Sequence, residues 1–189
     1  DDTVHAVTSE KLLGHARPFE VDFKPAGSGI TLEQALDKAG AEQRVLVFGL
    51  HGGRAENGEL QAMCEMRGVA FTGSGSASSH LAFDKPSAKR FAAIAGLNAP
   101  QGIGIEQIDD AFARHGKLIA KPAKDGSSYG LIFVNAKQDL VAVRNAARHE
   151  EYVIEPYIAG VEATCGVLEQ SDGAVFALPP IEIVPGEGA

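Results

Sequence analysis

The sequence predicts an α/β layer that passes, near its middle, into an antiparallel α+β unit. Three observations carry that prediction. Before residue 84, short apolar runs ending at glycines alternate with helix-like segments. A helix start, Asp84-Lys85-Pro86, follows directly. From residue 107 a helix and a strand lead into a glycine–serine loop, a second strand, a helix and further strands. Alternating strand and helix argues for a parallel sheet covered by helices, whereas strand–loop–strand argues for antiparallel neighbours.

Residues 45–50 (Val-Leu-Val-Phe-Gly-Leu) form an almost wholly apolar run, read as a fully buried strand of a parallel sheet that ends in the loop at His51-Gly52-Gly53. Residues 60–67 read as a helix stopped by Gly68, residues 69–72 as a strand stopped by Gly73-Ser74-Gly75, and residues 76–83 as a helix. This alternation is Rossmann-like. Asp84 is placed as an N-cap with Pro86 in the first turn, and Ala88, Phe91, Ala92 and Ala95 follow at helical spacing up to Gly96. Asn98-Ala99-Pro100 reads as a connector. Beyond it come a helix at 107–115, a strand at 118–121, a loop at 122–130, a strand at 131–134, a helix at 138–148 and strands at 152–158, 162–168, 175–178 and 181–184.

The chain has 189 residues, 44% of them hydrophobic, so it can bury a core. A net charge of −8 argues against nucleic-acid binding, because no basic stripe is available to neutralise a phosphate backbone. No apolar run approaches the length that spans a bilayer, and no charged, apolar leader is evident. The expectation is a cytoplasmic protein without membrane partners. Cys64 and Cys165 lack Cys-x-x-Cys spacing and are expected to be reduced and packed in a core.

Four segments carry chemistry. In Lys121-Pro-Ala-Lys-Asp-Gly-Ser-Ser-Tyr-Gly130, Gly126 and Gly130 let the backbone curl so that its N–H groups point inward, and Ser127 and Ser128 add hydroxyl donors. Such a loop can be a nest for phosphate oxygens, with Lys121 at the strand end aimed at the same anion. A lone Gly-Ser-Ser would otherwise be an ordinary hairpin loop. Lys85 lies in a first helical turn, where the helix dipole disfavours a cation, a hint of a nearby anion. Lys89, one turn on, is expected to be solvated. In Glu155-Pro-Tyr-Ile-Ala-Gly-Val-Glu162, a carboxylate ends an apolar strand and a second follows a hinge; backbone groups there could pair with a base edge, or the segment could be a twisted edge strand. Finally, in His51-Gly-Gly-Arg-Ala-Glu-Asn-Gly58 a histidine and a glutamate lie in a loop placed where open α/β sheets hold ligands, or the histidine merely hydrogen-bonds its own turn.

In this order, the four segments resemble the D-alanine–D-alanine ligases of the ATP-grasp superfamily. The family pattern His-Gly-x-x-Gly-Glu-Asp-Gly resembles residues 51–58, with Ala55 in place of glycine and Asn57 in place of aspartate. Gly-Ser-Gly-x-x-x-Ser followed by Asp-Lys is met by Gly73, Ser74, Gly75, Ser79, Asp84 and Lys85. Lys-Pro-x-x-x-Gly-Ser-Ser-x-Gly is met in full by residues 121–130, and Glu-x-x-x-x-Gly-x-Glu by Glu155, Gly160 and Glu162.

The resemblance implies ATP-binding residues Lys85, Lys121, Ser127, Ser128, Glu155, Pro156, Ile158 and Glu162, with Glu162 on the ribose and the residues of 155–158 as an adenine hinge. It implies that His51 and Ser127 position a first D-alanine, that ATP phosphorylates its carboxylate, and that a second D-alanine attacks the acyl phosphate, for peptidoglycan precursor synthesis. Dimerisation is a family expectation. Mg²⁺ is implied too, but Glu182 and Glu187 do not form a metal site by spacing, so its ligands are expected downstream of Ala189. On this reading the 189 residues are part of a longer enzyme, truncated and inactive alone. They would divide into a Rossmann-like part (1–84), a central ATP-grasp subdomain (85–154) and the start of a C-terminal ATP-grasp subdomain (155–189). Two alternatives stay open: another ATP-grasp carboxylate–amine ligase, or a degenerate nucleotide-binding module without catalysis.

Overall fold

The computed structural model describes residues 3–17, 20–50, 52–126 and 129–184. A short antiparallel pair, β1 (Thr3–Val4) with β2 (Ile30–Thr31), brackets helix α1 (Ser9–Leu13). Helix α2 (Leu32–Ala41) starts at a capping box: Thr31 Oγ1 accepts from the Gln34 N–H, and Gln34 Oε1 accepts from the Thr31 N–H. That pattern satisfies two helix-end donors at once. Strand β3 (Val45–Leu46) pairs in parallel with β4 (Ala70–Phe71), and helix α3 (Glu59–Glu65) crosses between them. Leu36, Ala39, Leu60, Cys64 and Val69 form the core under this layer. Helices α4 (Ser76–Phe83) and α5 (Lys85–Ile94) follow in direct succession, because Asp84 leaves helical geometry and caps the second by accepting from the Ser87 N–H at 3.4 Å.

The second unit is a three-stranded antiparallel sheet with β5 (Leu118–Pro122) between β6 (Ile132–Val134) and β7 (Tyr152–Pro156). Helices α6 (Ile108–His115) and α7 (Leu140–Ala146) pack on it. Ile108, Ala111, Leu118, Ala120, Val134, Leu140, Val143 and Ile154 make one core, in which each buried leucine contributes roughly 1.5–3 kcal/mol. Side chains alternate across a strand. Ile119, Lys121 and Glu155 therefore face away from that core. Four short strands end the described chain: β8 (Glu162–Thr164) pairs with β11 (Ile181–Ile183), and β9 (Val167–Glu169) pairs with β10 (Val175–Ala177).

Three expectations are corrected. The strand over residues 45–50 is two residues long and not fully buried: Val47 is 78% exposed, because the described β3–β4 pair is covered on one face only. The single strand expected at 162–168 breaks at Cys165-Gly166, where Gly166 O accepts from the Leu178 N–H. Cys165 is exposed there, with its thiol directed at Leu178 O (3.1 Å), because β8–β11 are open to solvent throughout. Cys64 is buried as expected, both cysteines are free, and burial pushes the Cys64 thiol up. No helix among the described residues is long and apolar enough to cross a membrane.

Candidate functional site

The far face of the three-stranded sheet carries a buried carboxylate between two lysines. Glu155 stands opposite Ile119 in the β5–β7 register, and Lys121 stands opposite Val153, so the two charged side chains are diagonal neighbours. Lys121 Nζ lies 2.8 Å from Glu155 Oε2, and Lys89 Nζ bonds the other oxygen, Oε1. The Glu155 side chain is only 3% exposed, whereas Lys89 and Lys121 keep part of their surface in solvent. Burial by itself would raise the Glu155 carboxyl; the hydrogen bonds and charges of Lys121 and Lys89 outweigh it and hold the group below the usual carboxylate range.

Helix α5 brings a third lysine to the loop after β5. The Lys85 N–H donates to Ala123 O at 3.0 Å, and its ammonium donates to Asp125 O at 2.6 Å. Among the described residues Lys85 pairs with no carboxylate. Burial, then the neighbouring Lys121 charge, hold its ammonium below the usual lysine range. Lys85 and Lys89, one turn apart on α5, thus reach the same strand end.

The glycine-rich loop is set by contacts on both flanks. Gly130 has φ +70°, and a Cβ there would lie 2.8 Å from Pro122 Cγ and 3.0 Å from Tyr152 Oη. Tyr152 Oη donates to Gly130 O at 2.9 Å. At Gly126 the requirement differs from the sequence expectation: no positive φ is involved, but a Cβ would come within 2.8 Å of Glu56 Oε2. The same Glu56 oxygen accepts from the Gly52 N–H at 2.8 Å. Glu56 therefore stands between the loop after β3, which it bonds, and the loop after β5, which it approaches closely. A cleft of about 470 Å³ lies along this junction, lined by Gly53, Asn57, His80, Asp84, Lys124 and Asp125 among others. A second, of about 420 Å³, opens at the C-terminal end of the β3–β4 pair beside Phe48, Thr72 and Ser74.

Of the residues singled out from sequence, Lys85, Lys121 and Glu155 come together. Pro156 ends β7, and Ile158 follows it, exposed. Glu162 is exposed on β8 and makes no ion pair among the described residues. His51, Ser127 and Ser128 lie outside the described residues. Lys89 was expected to be solvated; instead it is a partner of the buried Glu155. Its signal was the four-residue spacing from Lys85 on one helix face, which has meaning only once a carboxylate is known to lie opposite. Glu56 is the glutamate of the loop at 51–58, but its approach to Gly126 has no local signal in the sequence. Among the described residues no group of three or more histidine, cysteine or acidic side chains is arranged to hold a metal.

The chain matches the D-ala D-ala ligase C-terminus family over residues 114–188. It is 35% identical over 167 residues to a D-alanine–D-alanine ligase of Syntrophotalea carbinolica, a match covering 85% of this chain and 52% of that protein. The chain thus spans about half the length of the curated relatives it matches. Among solved structures it resembles D-alanyl-alanine synthetase A from Vibrio cholerae, with TM-score 0.67 and 25% identity over 76% of this chain and 46% of that one. It also resembles the D-alanine–D-alanine ligase from Bacillus anthracis complexed with ATP, with TM-score 0.66 over 97% of this chain and 65% of that one. At 23% identity the latter likeness speaks to the fold alone. Over the stretch that it spans, the chain belongs to the D-alanine–D-alanine ligase family, on an ATP-grasp fold.

Proposed function

We propose that this chain supplies the ATP-phosphate-binding part of an enzyme that joins two D-alanine molecules for peptidoglycan precursor synthesis in the cytoplasm. The observation that carries the reading is the convergence of Lys85 and Lys121 on the glycine-rich loop after β5, each drawn there by a different element. Two half-buried cations close enough to disfavour one another are stabilised by an anion of several charges, and a nucleoside polyphosphate is such an anion. ATP enters as the substrate, supported by the family membership.

On this reading a carboxylate oxygen of the first D-alanine attacks the γ-phosphorus and ADP leaves. The amine of a second D-alanine then attacks the acyl carbon, the C–O bond to phosphate breaks, and the nitrogen loses a proton as the amide forms. Lys85, Lys121 and the loop amides hold the phosphates in place, which is the main task of a protein in phosphoryl transfer. Ser127 and Ser128 would line the same loop, His51 and Ser127 would position the first D-alanine, and residues 155–158 with Glu162 would receive the nucleoside. Mg²⁺ belongs to the proposal only as a family expectation, and no step is assigned to it. The segments 1–84, 85–154 and 155–189 are read as three parts of the enzyme, with β7 straddling the last boundary. A homodimer is the expected assembly.

Another ATP-grasp carboxylate–amine ligase is the second reading, kept open by Ala55 and Asn57. The local structure accounts for Asn57: its Oδ1 accepts from the Glu59 N–H at 3.0 Å and its Nδ2 donates to Glu59 Oε1 at 2.9 Å, fastening the start of α3. The test has two arms. Calorimetry of this chain with ATP should show binding that Lys121→Ala abolishes; unchanged affinity would sink the phosphate site. Phosphate release by the complete gene product, assayed with a panel of D- and L-amino acids, should require D-alanine. Release driven equally by another amino acid would favour the second reading.

A further inference from the structure

We propose that Lys89 is a positioning residue of the phosphate site: by holding one oxygen of Glu155, it leaves Lys121 able to turn from the other oxygen to a nucleotide phosphate. This rests on the reading of Lys121 as a phosphate ligand.

Glu155 is a buried carboxylate with two lysine partners. Its side chain is 3% exposed, and its two oxygens are divided, Oε2 to Lys121 at 2.8 Å and Oε1 to Lys89. A buried carboxylate with one counter-ion cannot lose it cheaply, since an unpaired buried charge is among the most costly states in a protein. If Lys121 were the lone partner, each movement of its ammonium toward a phosphate would strand Glu155, and nucleotide would have to compete with the ion pair. The second lysine removes that competition. Geometry explains why Lys89 and not Lys85 does this. Both sit on one face of α5, but the Lys85 ammonium is already turned to Asp125 O in the loop, while Lys89 lies one turn further along the helix, over β7. Glu155 is thereby left with a partner when Lys121 is recruited. A plain staple between α5 and β7 would need only the Lys89–Glu155 contact and would leave ATP affinity untouched beyond its effect on folding.

The experiment is titration of the chain with ATP by calorimetry and with adenosine by ligand-observed NMR, for the wild type, Lys89→Met, Lys89→Arg, Glu155→Gln and the double variant Lys89→Met/Glu155→Gln. Methionine keeps the aliphatic stem and removes the charge. The expected result is a loss of roughly tenfold in ATP affinity for Lys89→Met with adenosine affinity unchanged, in line with the coupling of close buried charges. Lys89→Arg should restore the wild-type value, and so should the double variant relative to Glu155→Gln, because a neutral amide no longer captures Lys121. Equal losses for ATP and adenosine, or no loss for ATP, would overturn the proposal. Should Lys89→Met not fold, the comparison of Glu155→Gln with the double variant decides. Equal ATP affinities support the role of Lys89, and a further tenfold loss overturns it. Lys121→Ala, measured alongside, keeps the two readings apart. Unchanged ATP binding there defeats the phosphate site itself, whereas loss there with none in Lys89→Met defeats only the role given to Lys89.

Discussion

Lys121 and Glu155 meet across the β5–β7 register at 2.8 Å, with the carboxylate buried and the lysine side chain partly exposed. The pair lies on the sheet face turned away from the α6–α7 core, which is why two charges occur in the middle of an otherwise apolar sheet. Their contact ties the stability of the second unit to the chemistry of the loop above it.

Glu155→Ala should therefore be strongly destabilising. It leaves two lysines facing each other over a sheet with no counter-charge. The expected loss is about 2–3 kcal/mol, less than for a fully dry pair because both lysines retain solvent. Urea unfolding of wild type and variant measures it. A loss under about 0.5 kcal/mol, typical of an exposed pair, would show that the burial is not felt.

The acid limb of stability should carry the same signature. Lys121 and Lys89 hold the folded Glu155 carboxyl below its usual range, against burial. A group depressed in the folded state contributes stability above its unfolded pKa and loses it as pH falls through the folded value. Wild type should lose stability on acidification below the ordinary glutamate range more steeply than Glu155→Gln. Parallel stability curves for the two proteins in acid would contradict this.

Lys85 gives the alkaline counterpart. Burial and the Lys121 charge hold its ammonium below the usual lysine range. A bound polyphosphate favours the protonated form, so ATP affinity is greatest below the pKa of the free site and falls as pH rises through it. The decline should begin at lower pH than an ordinary lysine would give. Lys85→Arg, which stays charged, should flatten it. Calorimetric ATP titrations at neutral and mildly alkaline pH test this, and an identical decline in Lys85→Arg would exclude Lys85 as its source.

Gly130→Ala should disorder the loop. The position has φ +70°, which costs an L-residue about 1–2 kcal/mol, and the added methyl would press on Pro122 and Tyr152. Amide exchange at residues 129–131 should accelerate and ATP affinity should fall. Protection equal to wild type would show that the flanks yield.

Tyr152→Phe removes the bond to Gly130 O while keeping the ring. The expected cost is roughly 0.5–1.5 kcal/mol, with faster exchange confined to the loop. A global drop in protection, equal across β5 to β7, would place the role of Tyr152 in the sheet instead.

The sequence alone determined what depends on a few neighbouring residues. Asp84 and Pro86 set the start of α5, and the glycines at 68 and 96 follow α3 and α5 with positive φ. The motif of residues 121–130 announces two strands joined by a glycine-rich loop, and that is how β5 and β6 are connected. These follow from φ/ψ preferences and periodicity, which act within a turn or two. The capping box at Thr31 and Gln34, which starts α2, is written as locally. The long-range pairings, by contrast, come from tertiary packing. Lys89 meets Glu155 across 66 residues, Glu56 meets Gly126 between two loops, and Cys165 and the outer face of β3 stay in solvent. No local propensity encodes such a pairing. It exists because packing α6 and α7 on one face of a sheet leaves the other face, and its charges, for the site.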